Sequence, residues 1–299
     1  MLKSHGFLFL VLARIQNQLL GYRRARPYGV SDIDRTVAHS IQVVDDWVDA
    51  YSQYTGRQPP PLAGKRVLEL GPGPDFCTAV ILLSKGIRSY ASLDAFPLAL
   101  STPEKMYQSL FDALQLDPIG RQSLEDELKQ TLARGVCHEL RGSDSRIHYT
   151  VRSDFDLHKA FPEESFDLFL SSAAFEHFEN VERTLRQITE LSHEGPQLVI
   201  SIDFKTHSRW IRDLDPLSIY RFSDALYGAF SFKGSPNRVA LPRYIEILES
   251  MGWRDIRTFH VYTVSDSYFA KVRDSLSPSF RNDNTRYLWV ILCASRGGG

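Results

Sequence analysis

Up to residue 61 the apolar positions recur at helical spacing. Residues 1–22 read as an amphipathic helix ending near Gly21, and residues 31–54 carry Ile41, Val44, Trp47, Val48 and Tyr51 on one face before Gly56 and the Pro59-Pro60-Pro61 stop. From Arg66 the period shortens. Residues 67–70 form a brief apolar run that ends in Gly71-Pro72-Gly73-Pro74, a helical stretch covers 77–84, and a second run, 89–93, ends at Asp94. Strand, tight turn, helix and strand in that order open a βαβ unit. Further strands are predicted at 147–151, 166–171, 197–203, 256–264 and 285–294, with helices at 176–191, 242–251 and around 268–272. Sustained alternation of this kind predicts a doubly wound α/β domain.

Two stretches break the rhythm. Residues 96–145 hold two helices, about 103–116 and 121–133, more than a minimal crossover needs, and read as an insertion. Residues 204–240 are charged and aromatic, with Trp210, Tyr220, Phe222, Tyr227, Phe230 and Phe232. Those aromatics fit either a lid around a ligand or a small core of their own. The expected division is a helical leader or lid at 1–61, then a ligand-binding domain at 62–299 with caps at 96–145 and 204–240.

Composition narrows the partners. With 43% apolar and 24% charged residues and a formal charge of −1, the chain has no basic stripe to meet nucleic acid, so a small-molecule partner is expected. Its three cysteines, Cys77, Cys137 and Cys293, are far apart and include no CxxC pair, which fits a reducing cytoplasm and neither a disulfide framework nor a zinc site. The apolar run at 7–13 is too short to span a bilayer. The first helix, followed by Arg23, Arg24 and Arg26, leaves three readings open: a cover for the core, a face for a second copy in a homodimer, or contact with a membrane surface. Without HExxH, a carboxylate triad, a P-loop lysine or a G-x-S-x-G elbow, no metal site and no phosphate or acyl-transfer site is expected.

In an open α/β sheet, ligands bind beyond the carboxyl ends of the strands where the crossovers diverge. The residues there are Glu69, Leu70, Gly71, Pro72 and Gly73 after the first strand, Asp94 and Ala95 after the second, Asp154 after the third and Ser172 after the fourth. Glycine at 71 and 73 lets backbone approach a ligand. Asp94 can accept both ribose hydroxyls of a nucleoside. A dinucleotide fold shares those features, but its G-x-G-x-x-G fingerprint fails at Phe76, and Asp75 opens the following helix. With Glu69 also near, negative charge there disfavours a diphosphate and suits a ligand bearing an ammonium and a sulfonium.

The segment Val67-Leu-Glu-Leu-Gly-Pro-Gly-Pro74, then Asp94, then Ser165-Phe-Asp-Leu-Phe-Leu-Ser-Ser-Ala-Ala-Phe-Glu-His177 resembles the successive motifs of class I S-adenosylmethionine-dependent methyltransferases, over residues 62–203. The resemblance implies a seven-stranded Rossmann-like sheet in the order 3-2-1-4-5-7-6 with the seventh strand antiparallel, and S-adenosylmethionine as cofactor. It also implies that Glu69 orients the methionyl amino group, that Gly71 and Gly73 line the methionyl arm, that Asp94 holds the ribose, that Asp154 and Phe155 flank adenine and that Ser172 offers a backbone carbonyl. Asp75 departs from the family's third glycine, and Asp156 rivals Asp154 for adenine. The run Ile202-Asp-Phe-Lys-Thr-His207, with Asp215-Pro216, Phe222-Ser223 and Ser235-Pro-Asn-Arg238, is similar to bacterial methyltransferases of glycan or natural-product pathways.

Methyl transfer to a hydroxyl of a sugar or secondary metabolite needs an in-line geometry and a base. Three candidates stand at the right sheet edge: His207, Asp203 and His177, with His207 best matched to proton transfer near neutrality. Arg238 is placed to pair with an acidic acceptor or with Asp203. Two competing classes remain at this level, a non-catalytic S-adenosylmethionine-binding scaffold and an NAD-dependent oxidoreductase.

Overall fold

A computed structural model describes residues 2–21, 32–136, 145–208 and 210–297. The chain begins with helices α1 (Leu2–Leu20) and α2 (Ile33–Thr55) and continues β1 (Arg66–Leu70), α3 (Cys77–Ser84), β2 (Ser89–Asp94), α4 (Glu104–Leu114), α5 (Pro118–Arg134) and β3 (Ile147–Val151). It goes on through α6 (Leu157–Ala160), β4 (Phe166–Ser172), α7 (Val181–Glu190), β5 (Ser192–Asp203), α8 (Asp224–Phe230), α9 (Leu241–Ser250), β6 (Arg254–Thr263), α10 (Asp266–Val272) and β7 (Tyr287–Ser295). Arg23, Arg24, Arg26 and Cys137 lie outside the described residues.

The seven strands form one sheet in the order β3-β2-β1-β4-β5-β7-β6. The first five run parallel, and β7 is antiparallel to both β5 and β6. Fold class and strand order are therefore those expected.

Neighbouring residues on the central strands point to opposite faces, and both faces are buried. Val67, Leu168 and Val199 face one core with Trp47 of α2, the wholly buried residues 77–83 of α3, and Leu110 and Leu124 of α4 and α5. Leu68, Phe169 and Leu198 face the other, with Leu157 of α6, Leu185 of α7 and Tyr244 of α9. Residues 96–145, expected as an insertion, thus supply α4 and α5 as sheet-covering helices on the crossover from β2 to β3. Helix α2 starts at Asp32, whose side chain accepts from the Arg35 amide, and stops at left-handed Gly56. Its indole Trp47 Nε1 donates to the Ser171 carbonyl at 3.3 Å, pinning the helix over the strand ends.

The aromatics of 204–240 separate by burial. Tyr220, Phe222 and Tyr227 join Leu217, Val264, Phe269 and Leu276 in a third core, against which Leu10 of α1 packs, while Trp210 is 80% exposed. Buried Asp215 and Arg221 hold this cap together by paired hydrogen bonds of 2.8 and 2.9 Å, and Tyr268 also donates to Asp215. Two expectations are corrected here. Arg238 does not pair with Asp203: it is turned into the cap, pairing with Asp224, donating to the Ile219 and Phe222 carbonyls and stacking over Tyr227. The helix expected at 176–191 begins only at Val181, capped by Asn180, because a separate 3-10 turn, Phe175–His177, occupies the start of that segment.

Candidate active site

The chain reverses its direction of crossover between β1 and β4, and the crevice opens at their carboxyl ends. A cleft of about 1010 Å³ lies there. It is large enough for a nucleoside cofactor and a second small molecule together.

One end of the cleft is built by the turn after β1. Gly71 and Gly73 take φ values of +72° and +77°. A Cβ on Gly71 would stand 2.5 Å from the Cβ of Ala174, whereas one on Gly73 would meet no atom within 4 Å and would project into open space. Glycine at 71 therefore admits the neighbouring loop, and glycine at 73 relieves backbone strain. Asp75 settles the unusual position of the turn. Its Oδ1 accepts from the Cys77 amide at 3.0 Å, and the Phe76 amide donates to the Tyr107 hydroxyl at 3.2 Å. The amides that would cradle a pyrophosphate are already taken, with a carboxylate in their midst.

Glu69 is buried beneath the turn, where its Oε2 accepts from both Thr78 and Tyr90 at 2.7 Å. Burial pushes its carboxyl up to about 7; Asp75 and Asp94 add to the rise, and the two hydroxyl donors oppose it. Asp94 ends β2. Burial raises it to about 6 against hydrogen bonds from the Phe96, Ala95 and Gly73 backbone. A carboxylate offers about four acceptor sites, so it keeps capacity for a ligand. Thr78 and Tyr90 were not singled out from sequence; their only signal is that an acidic strand end under a turn needs donors.

The loop after β3 places its two carboxylates differently. Asp154 and Phe155 line the cleft, Phe155 at φ +48° with its ring centroid 4.6 Å from that of Phe178. Asp154 accepts from Arg152 Nε and Nη2 at 3.0 and 2.8 Å, which holds its carboxyl below the usual range. Asp156 is turned away: it caps α6 and binds Arg183 and Gln187.

The far end of the cleft gathers the candidate bases. Ser172, Ala174, Glu176 and His177 arrive from β4, and Asp203 and His207 from β5. The His177 and His207 rings stand with centroids 4.7 Å apart, and His207 Nε2 lies 3.9 Å from both Glu176 Oε1 and Asp203 Oδ2. Burial lowers both imidazoles to about 4, helped at His177 by His207 and at His207 by Arg212 and Lys205. Both rings are therefore neutral at pH 7. Asp203 is raised by burial and held back by Lys205 and Arg212. Glu176 was not picked from the sequence, although it precedes His177. It is 3% exposed, burial and then Asp203 push its carboxyl well up, and neither carboxylate oxygen has a hydrogen-bond partner among the described residues. Asn237 ties the cap to this turn, its amide donating to the Glu176 carbonyl and its side chain to those of Phe175 and Phe178.

Residues 129–200 match the family of methyltransferase domains. Among solved structures, the CurJ carbon methyltransferase is 15% identical at a TM-score of 0.43, over 80% of this chain and 50% of that one. An S-adenosylmethionine dependent methyltransferase from Mesorhizobium loti is 18% identical, with TM-score 0.41, over 79% and 93%. A Haemonchus contortus phosphoethanolamine N-methyltransferase 2, in complex with S-adenosylmethionine, is 14% identical, with TM-score 0.43, over 87% and 52%. The chain thus spans about half the length of the first and last of these. No protein of curated function matches it by sequence.

Strand order and cleft are those of the class I methyltransferase fold, and residues 129–200 carry the match to methyltransferase domains. S-adenosylmethionine is the cofactor that this fold implies. The residues fit that group, because the turn is open at Gly73 and lined by carboxylates where a cationic nucleoside needs them and a diphosphate does not. Among the described residues no helix is long and apolar enough to cross a membrane.

Proposed function

We propose that the protein methylates a hydroxyl of a small molecule, a sugar or a secondary metabolite, with His207 and Asp203 as a His/Asp base and His177 beside them. The observation that carries this reading is the buried polar cluster in the same cleft as the cofactor turn: His207 Nε2 accepts no hydrogen bond among the described residues, yet it stands 3.9 Å from Asp203. A neutral imidazole can take a proton on that nitrogen, and the neighbouring carboxylates would then stabilise the imidazolium that forms.

When bound, the cofactor supplies a methyl group made electrophilic by the sulfonium. The chain's residues hold it. In this reading Glu69 faces the methionyl ammonium, Leu70, Gly71, Pro72 and Gly73 line the methionyl arm, Asp94 with Ala95 takes the ribose, Asp154 and Phe155 meet adenine, and Ser172 offers its carbonyl. With the cofactor held there, the His/Asp pair would take the hydroxyl proton of an acceptor placed in line with the donated methyl group. Alignment contributes the larger part, up to roughly 7 to 11 kcal/mol, and the base about 10²- to 10⁴-fold.

The lid of 204–240, the leader at 1–61, a cytoplasmic setting and a homodimer through α1 belong to the same proposal. The charge of −1 supports an acceptor other than nucleic acid.

The test is release of S-adenosylhomocysteine across a panel of sugars, phenols, amines and carbon acids, after calorimetry has measured cofactor binding. Turnover with hydroxyl acceptors is expected. Turnover confined to amines or carbon acids overturns the hydroxyl reading, and cofactor binding without turnover anywhere favours a scaffold.

A further inference from the structure

We propose that Glu176, His177 and His207 form a binding site for one divalent transition-metal cation. The inference rests on the methyl-transfer reading only for its chemical use, since the site itself follows from the donors. Nδ1 or Nε2 of each imidazole and a carboxylate oxygen of Glu176 lie within 4.8 Å of one another. A cation bonds nitrogen and oxygen donors at about 2.0 to 2.2 Å, which sets tetrahedral neighbours roughly 3.4 Å apart, so side-chain rotations of about an ångström close the site.

Four atoms of the cluster need the same thing. Both Glu176 oxygens, His177 Nδ1 and His207 Nε2 are buried and make no hydrogen bond among the described residues. Buried acceptors without donors are costly, and four in one place are rare. Protonating Glu176 would remove a charge but give at most one donor. A cation satisfies lone pairs on all three side chains at once.

The surroundings sort the carboxylates. Asp203 Oδ2 is already within 3.7 Å of Lys205 Nζ and 3.8 Å of Arg212 Nη2. Among the described residues no lysine or arginine forms an ion pair with Glu176, although the charge of Lys205 reaches it, and its Oε1 stands 3.9 Å from His207 Nε2. Two imidazoles and one carboxylate favour zinc, cobalt or iron(II) over magnesium or calcium, which prefer oxygen. All three side chains line the cleft, so a cation held by them would be within reach of a molecule bound there. His207 then serves as a ligand, and Asp203 is the member of the His/Asp pair that takes the hydroxyl proton.

The test is titration of the chelator-treated full chain with Co²⁺, read by its visible absorption and by calorimetry, with Zn²⁺ as competitor. One equivalent per chain is expected. Binding should weaken at least about tenfold in Glu176→Gln and in His177→Ala. Unchanged S-adenosylmethionine affinity in each variant shows that it is folded, and His207→Ala, on the cleft wall, is the substitute where one of them does not fold. Stoichiometric uptake lost in these variants supports the site. Wild-type protein that binds S-adenosylmethionine but takes up no Co²⁺, or uptake unchanged in the variants, overturns it and leaves the methyl-transfer reading standing. Co²⁺ uptake by protein that cannot bind S-adenosylmethionine would overturn that reading and leave the metal site.

Discussion

His177 and His207, one from the turn after β4 and the other from the loop after β5, stand with their rings 4.7 Å apart and tilted by 58°. Two adjacent parallel strands deliver the pair to one wall of the cleft, and burial keeps both rings neutral. His207→Ala should therefore lower turnover by at least about a hundredfold, whether the ring takes a proton or binds a cation, and leave cofactor affinity within about twofold. S-adenosylhomocysteine release and calorimetry check the two halves. Unchanged turnover removes His207 from the mechanism.

Gly71 and Ala174 cannot both carry a Cβ without collision. Gly71→Ala sets two carbons 2.5 Å apart at a residue with φ +72°, so it should destabilise the fold by about 1 to 3 kcal/mol and weaken cofactor binding at least about tenfold. Adding Ala174→Gly removes the collision but not the strained φ. The double variant should recover part of the loss, and no recovery would mean that the contact is not what excludes alanine.

Cofactor binding should strengthen as pH rises. In the free protein Glu69 titrates near 7 and Asp94 near 6 because burial favours their protonated forms. A ligand carrying an ammonium and a sulfonium favours the ionised forms, so both pKa values fall on binding and protons are released. Affinity at pH 5.5 should be at least about fivefold weaker than at pH 7.5. Calorimetry in two buffers of different ionisation enthalpy should report proton release near pH 6.5. Proton uptake there would contradict the sign of both shifts.

The cap depends on one buried ion pair. Asp215 is 0% and Arg221 4% exposed, and their two hydrogen bonds are of ordinary length. Removing one partner leaves a buried charge, so Asp215→Ala should cost about 3 to 5 kcal/mol of cap stability, seen as lost hydrogen-exchange protection at 217–222. Asp215→Leu with Arg221→Met should cost less than either single change. A larger cost for the pair would show that its value is in the charges themselves.

Much of this was legible in the residues. The boundaries of α3 and β3 follow from apolar runs closed by glycine or polar turns, and the turn that opens the cleft follows from Gly71 and Gly73, because local sequence dictates both period and backbone freedom. Asp154 against Asp156 was open for a physical reason: two carboxylates one residue apart in a loop are told apart only by what each faces. Arg238 and the start of α7 were misjudged for a related reason. A charged side chain near a cleft reads as a ligand partner until the fold supplies Asp224 and two carbonyls, and a turn with helical composition reads as helix until Asn180 is seen to cap the next one.

The chain by itself determined the class of fold and the succession of its strands and helices, since these depend on patterns within about thirty residues. Only the tertiary structure decided that Glu176 stands beside His177 and His207 with no hydrogen bond to its carboxylate among the described residues. That neighbourhood joins segments from two strands through a buried wall. Its energetics come from lost water and missing donors, which no local pattern records.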